Sequence, residues 1–364
     1  PAQVQELDLR ETILGTEGAR HIARMLHTNT SLQTVDLASN AIEDEGATAL
    51  AHAIASNHTL VKLELQRNGI SAEGARLIAG ALERNTSLQY LGFAFNGFGD
   101  SGVQHIATVI AGVNTTLKQL DLGFNGVCLD GARALSHGLR HNHWLETLEL
   151  GYNGITDAGA CELAKAVRCN TVLTALGVPS NGISNQGAAE LASALRENNT
   201  LIQMGLSANN IGDEGAKHLA CVLNINLALE TLYLEENDVV EDGEGAQALK
   251  HVLSNTFRVR ELDDSLQLAF CMGMHSRLGE VLFPAEGPRL QRAQSCTARP
   301  AQPSVVWPSS PRCVGFVVCG VLTWAGVPGE QRSAVQLLDD NSAQEVIKHC
   351  HQRIRRDIQF YPRS

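Results

Sequence analysis

The chain has 364 residues, of which 44% are hydrophobic, 18% charged and only 4% aromatic, the composition of a globular protein. Its net charge of −11 resides in residues 1–261, where 17 Lys and Arg face 30 Asp and Glu, while the remainder carries +2. An acidic body repels nucleic acid and anionic membrane, which sets both aside as main partners and favours another protein with a basic surface.

In chain order, the first predicted strand runs through Leu7 and Leu9, with alternating polar positions as a short strand with one buried face requires. Thr12 then opens a slot that recurs as Asn40, Asn68, Asn96, Asn125, Asn153, Asn181, Asn209 and Asn237, at a spacing of 28 residues with a single 29. A second ladder of glycines runs from Gly18 to Gly245, and a third, of asparagines, from Asn29 to Asn255. Three registers that agree over residues 4–262 define nine repeats of about 28 residues. Each unit reads L-x-L-x-x-N-x-I, then a glycine step, then a helical stripe such as Ala47, Leu50, Ala51 and Ile54. Ser71, Thr156, Ser184 and Asp213 are expected to cap helix starts, with Glu17, Glu45, Glu73 and Glu214 at the positive dipole end. The third ladder is expected to close each helix in the left-handed conformation that Asn tolerates.

A single unit cannot bury its own apolar face, so stacking must complete the core. The α/β fold that follows is a curved solenoid, a horseshoe with a parallel β-sheet on the concave face and α-helices on the convex face. The Asn40-to-Asn237 ladder belongs to this frame: a side-chain amide carries donors and an acceptor together and can tie each turn to its neighbour.

After residue 262 the rhythm stops, and residues 263–364 read as an irregular tail. A Pro-rich linker is predicted near 284–311, and an amphipathic helix near 342–359 carries Val346, Ile347, Cys350, Ile354 and Ile358 on one face. The apolar run at 313–327 is 15 residues long, short of the roughly 20 needed to span a bilayer. The chain starts at Pro1 without a methionine, so the N-terminal cap of the solenoid is expected upstream of it. Nine cysteines without a CxxC pair give no zinc or redox signature and read as reduced thiols, which points to the cytoplasm. His141 and His143 lack a third ligand nearby, so no metal is expected, and no sequence feature calls for a cofactor. Phosphate-loop, nucleophile-elbow and HExxH patterns are missing, which indicates a protein that is not an enzyme.

The unit NTSLQTVDLASNAIEDEGATALAHAIASN, Asn29 to Asn57, resembles the ribonuclease-inhibitor-type leucine-rich repeat. It is most similar to the repeat region of NOD-like receptors and related intracellular proteins, and more distantly to the GTPase-activating protein of Ran. The resemblance implies a protein–protein interaction module or scaffold, with the alternatives of a GTPase-activating protein like that for Ran or a ribonuclease-inhibitor-like inhibitor. The tail, mildly basic rather than acidic, counts against the GTPase-activating reading. The scarcity of repeat cysteines and the uniform spacing count against the inhibitor.

Departures from the repeat locate a candidate site. The concave strand column reads Asp8, Asp36, Glu64, Gly92, Asp121, Glu149, Gly177, Gly205 and Tyr233, acidic at five of nine positions. The column before the slot asparagine holds Phe95, Phe124 and Tyr152 in consecutive repeats, with Tyr90 beside them, and Trp144 is expected to extend the same rim. Tyr90, Phe95, Phe124, Tyr152 and Trp144, with Asp121 and Glu149, would receive Lys or Arg side chains of a partner by charge and cation–π contact. The alternative is that the rings pack on the loops and stiffen the turn.

Overall fold

In the computed structural model, which describes residues 4–260 and 269–271, each repeat is a three-residue strand followed by a helix. The strands are β1 (Glu6–Asp8), β2 (Thr34–Asp36), β3 (Lys62–Glu64), β4 (Tyr90–Gly92), β5 (Gln119–Asp121), β6 (Thr147–Glu149), β7 (Ala175–Gly177), β8 (Gln203–Gly205) and β9 (Thr231–Tyr233). The helices that follow them in turn are α1 (Gly15–Thr28), α2 (Glu43–Ser56), α3 (Ala72–Leu82), α4 (Gly99–Ile110), α5 (Leu129–His141), α6 (Thr156–Cys169), α7 (Asn185–Leu195), α8 (Asp213–Leu223) and α9 (Glu244–Arg260). A further strand, β10 (Ala269–Cys271), pairs with β9. The linker predicted near 284–311 and the helix predicted near 342–359 lie outside the described residues.

All strands pair in parallel in chain order, and the register repeats without slippage: Leu63 faces Leu91, Leu91 faces Leu120, Leu120 faces Leu148. Strands sit about 4.8 Å apart, whereas packed helices need about 8–10 Å. The two layers therefore match only along an arc, with the sheet inside. Between them lies one continuous core, in which Leu63, Leu65, Ile70, Ala75 and Ile78 of one repeat stack on Leu91, Phe93, Phe98, Val103 and Ile106 of the next.

The glycine ladder is steric. A Cβ at Gly187 would fall 2.6 Å from Asp157 Oδ1 and 2.7 Å from Ile183 Cγ2, so the helix can approach its neighbour only without a side chain there.

Two local expectations need correction. Ser71 and Ser184 cap their helices, accepting from the Glu73 and Gln186 amides, but Thr156 and Asp213 are the first helical residues rather than caps. The stronger cap comes from the preceding repeat: Asp157 Oδ1 accepts from the Ser184 amide at 2.7 Å and the Gly187 amide at 2.9 Å. Asn185 does the same for Gly212 and Gly215, and Asp44 for Ser71 and Gly74. The helix-closing asparagines Asn29, Asn57, Asn142 and Asn170 are extended, with φ of −76°, −87°, −85° and −74°, not left-handed. The side chains of Asn57, Asn142 and Asn170 bridge repeats: Asn57 Nδ2 donates to the Leu26 and Asn29 carbonyls while its Oδ1 accepts from Thr59 and Leu60, and Asn142 and Asn170 donate to Ile110 and Leu139.

Candidate functional site

The left-handed conformation lies one residue before each slot asparagine. Glu11, Ser39, Arg67, Phe95, Phe124, Tyr152, Ser180, Ala208 and Glu236 all have φ between 53° and 59°. This turn swings the side chain out of the strand direction, and the slot asparagine holds it. Asn153 Nδ2 donates to the carbonyls of Leu122, Leu150 and Gly151, and its Oδ1 accepts from the Asn125 and Val127 amides. Asn40, Asn68, Asn96, Asn125, Asn181, Asn209 and Asn237 likewise donate to a carbonyl of the preceding repeat.

On this frame three aromatic rings stack in consecutive repeats. Phe95 and Phe124 have centroids 3.7 Å apart, Phe124 and Tyr152 4.0 Å apart, with nearly parallel planes in both pairs. The Arg67 guanidinium closes one end, 4.4 Å from the Phe95 centroid. Sequence reasoning missed this cation, although Arg67 occupies the same column one repeat earlier. Phe95 and Tyr152 keep 37% of their surface exposed, and Phe124 between them is half-buried.

Tyr90 and Trp144 are placed elsewhere. Tyr90 opens β4 at the other end of the strand from the stack, with the Lys62 ammonium 4.6 Å from its ring centroid. Burial, with the nearby Glu64 carboxylate, raises its phenol pKa. Trp144 does not extend the rim. It sits in the turn before β6, where its amide donates to Asn142 Oδ1 and its ring lies edge-on to His143. Tyr152 follows β6, so the strand separates the two.

The acidic column is not uniform. Asp8 and Asp36 share Arg10, at 2.7 and 3.2 Å, and Glu64 pairs with Lys62 at 3.0 Å and accepts from Gln66. Asp121 and Glu149, directly opposite each other on β5 and β6, have no such cation among the described residues. Asp121 accepts from the Gly123 amide at 2.9 Å. Both Glu149 carboxylate oxygens are buried and accept no hydrogen bond, although the residue as a whole is half-buried. Burial pushes Asp121 up to about 6, against the Gly123 hydrogen bond and with help from Glu64. It pushes Glu149 well above the usual carboxylate range, and Asp121 adds to the shift.

The strand positions around this pair are glycines. Gly92 flanks Asp121 and Gly177 flanks Glu149 across the sheet, Gly205 lies beyond, and Gly123 and Gly151 follow the two acids along their strands. The space at Gly92 is filled by Glu64 and Gln66, which a Cβ there would strike, and the space at Gly151 by the Pro179 ring, 2.9 Å from where a Cβ would stand; Gly177 and Gly205 are buried. Two carboxylates with no cation partner among the described residues thus stand side by side among glycines, with the stacked rings in the turns that follow their strands.

Among the described residues no group of His, Cys, Asp and Glu could hold a metal ion, and no helix is long and apolar enough to cross a membrane. A separate groove between α1 and α2, on the helical side, is lined by Arg20, Arg24, His27 and His52 and does not reach the strand face.

Six segments, residues 28–51, 56–79, 84–107, 113–136, 141–164 and 197–220, match the sequence profile of the leucine-rich repeat. Among solved structures, the actin-binding site 2 of leiomodin-1 is similar at 18% identity and a TM-score of 0.35, covering 42% of this chain and 91% of that one. No curated protein sequence matches.

Proposed function

We propose that this chain of leucine-rich repeats is a non-enzymatic interaction module whose strand face across repeats four to six receives a basic segment of a partner protein. One observation carries the reading: of five acidic residues in the concave column, three are paired with a cation and two, Asp121 and Glu149, have none among the described residues. Carboxylates this close repel each other, and a cation brought from outside relieves both. The stacked rings beside them supply apolar area and π-faces at fixed positions, the features of interface anchors. We place the protein in the cytoplasm. Cys128, Cys161, Cys169 and Cys221 are free thiols, and the sequon residues Asn57, Asn85, Asn114 and Asn198 are buried, out of reach of a glycan.

The test replaces Phe124 and Tyr152 by Ser and measures melting temperature and partner binding together. The expected result is lost binding with the melting temperature held within about 3 °C, since the exposed rings contribute on the order of 1 kcal/mol beyond their burial. A large loss of stability with binding retained in the folded fraction would return the rings to a purely structural role.

A further inference from the structure

The repeats are acidic as a body, yet the groove between α1 and α2 carries the opposite charge. It holds about 850 Å³ and is lined at its centre by the small side chains of Ala23, Ala49 and Ala53, the first and last buried and Ala49 half-buried. Arg20, Arg24 and His27 follow one stripe of α1 at i, i+4 and i+7, a run of about 10 Å. His52 lines the α2 side, and Arg84 reaches in from the chain after α3. Arg24, His52 and Gly80 hold the same position in three successive repeats. Gly80 leaves open space where a side chain would stand, so the wall resumes only at Arg84.

These cations differ in what already engages them. Arg20 is bonded to Glu17 of its own helix, and His27 Nδ1 and Ser56 Oγ, 2.9 Å apart, join the ends of α1 and α2. Arg24 and Arg84 are exposed and have no ion pair among the described residues. One helical turn to either side of Arg24 stand Arg20, His21, His27 and Thr28, so its own helix offers it no acid. Glu45, in the first turn of α2, is the one acid of the described lining, at the opposite end of the groove from Arg84.

Charge complementarity selects the occupant. A compact phosphate is held best by the amides of a helix N-terminus, and those lie at the Glu45 end, away from Arg24 and Arg84. Nucleic acid is repelled by the acidic body around the groove. Cations spread along two helices, with alanines between them, suit a length of polypeptide that carries spaced carboxylates and small apolar side chains. Each guanidinium can grip a carboxylate with two parallel N–H groups.

We propose that the groove between α1 and α2 is a second interaction surface, which takes an acidic segment of a partner protein on Arg24 and Arg84. It lies on the helical side and does not depend on the strand face.

The experiment titrates the full chain calorimetrically, at neutral pH and fixed ionic strength, with a capped dodecapeptide of alternating Glu and Ala and with its Gln and Ala counterpart. The Glu peptide is expected to bind about tenfold or more tighter than the Gln peptide. Arg24→Glu and Arg84→Glu should each weaken it by about tenfold with the melting temperature unchanged, since both side chains are exposed. Arg140→Glu reverses an exposed charge on α5, outside the groove, and should change the affinity by less than about twofold. Equal affinity for the two peptides, an equal loss in Arg140→Glu, or indifference to Arg24→Glu and Arg84→Glu overturns the proposal. So does binding of inorganic phosphate or of a thymidine oligonucleotide where the Glu peptide does not bind. Replacing Phe124 and Tyr152 by Ser should leave the Glu peptide's affinity unchanged; a loss there would move the peptide to the strand face and overturn the assignment to the groove.

Discussion

Glu149 and Asp121 are held at a cost to the fold, and that cost depends on pH. For each group burial raises the folded pKa above the unfolded one, so stability is fully present below the unfolded value near 4 and is lost as pH rises through the folded value, about 6 for Asp121. Glu64 adds to the upward shift of Asp121, Lys62 is engaged by Glu64, and the Tyr90 phenol, its pKa raised by burial, stays neutral across this range. Asp121→Asn and Glu149→Gln should therefore raise the melting temperature at pH 7.5 by roughly 2–6 °C. The gain should vanish below about pH 4, where the wild-type carboxyls are already neutral; thermal melts across that range check both the sign and the window. Asn153 is the opposite case. Asn153→Ala strips the acceptor from two amides and the donor from three carbonyls, which should cost about 3 kcal/mol and lower the urea midpoint. The asparagine ladder was legible because its period is local, and so was the aromatic column. The pairing of Arg10 with Asp36, of Lys62 with Glu64, and the lack of any such partner among the described residues at Asp121 and Glu149 was not, because no spacing rule says which long side chain bends toward which neighbour.

At the level of the element, each helix is set by contacts on both sides of its glycine step. Gly187→Ala should be destabilising by about 3 kcal/mol, because the added Cβ meets Asp157, Ile183 and Ala160 at 2.6, 2.7 and 3.1 Å. Asp157→Ala should cost about 1–2 kcal/mol by stripping the cap from α7. In the double variant the two losses should fall short of their sum by about 1 kcal/mol, since removing the carboxylate relieves one of the clashes. Chemical denaturation of the four proteins closes the cycle, and strict additivity would mean that the helix start is placed by something else. The inter-repeat caps could have been seen in the sequence as a fourth column, Asp44, Asp100, Asp157, Asn185 and Asp213, two residues before the glycine. They were overlooked because alternate repeats carry Ala72 and Leu129 in that position, which breaks the ladder to the eye. The extended helix ends went wrong for a different reason. Asn suits a left-handed cap in an isolated helix, but here its amide gains more by reaching the previous repeat.

Across the whole molecule, function is a matter of where the repeat stops being a repeat. Stacking makes every strand position a column, so one substitution pattern along the chain becomes one surface on the sheet. The fold was legible in full outline, since periods of 2, 3.6 and 28 residues in a single chain admit few arrangements other than a strand-and-helix solenoid. The site was legible as two columns and not as one cluster, because the glycines that surround Asp121 and Glu149 come from five different repeats. Trp144 shows the limit from the other side: adjacent in the list of aromatics, it stands across β6 from the stack.

The central claim is that the partner docks on the strand face of repeats four to six. A photo-cross-linking residue introduced singly at Gln119 on β5, and at Arg133 on the helical side, tests it most directly. The account predicts that the bound partner is captured from position 119 and not from 133, and that Glu149→Gln reduces the capture. Capture from 133 with none from 119 would contradict it.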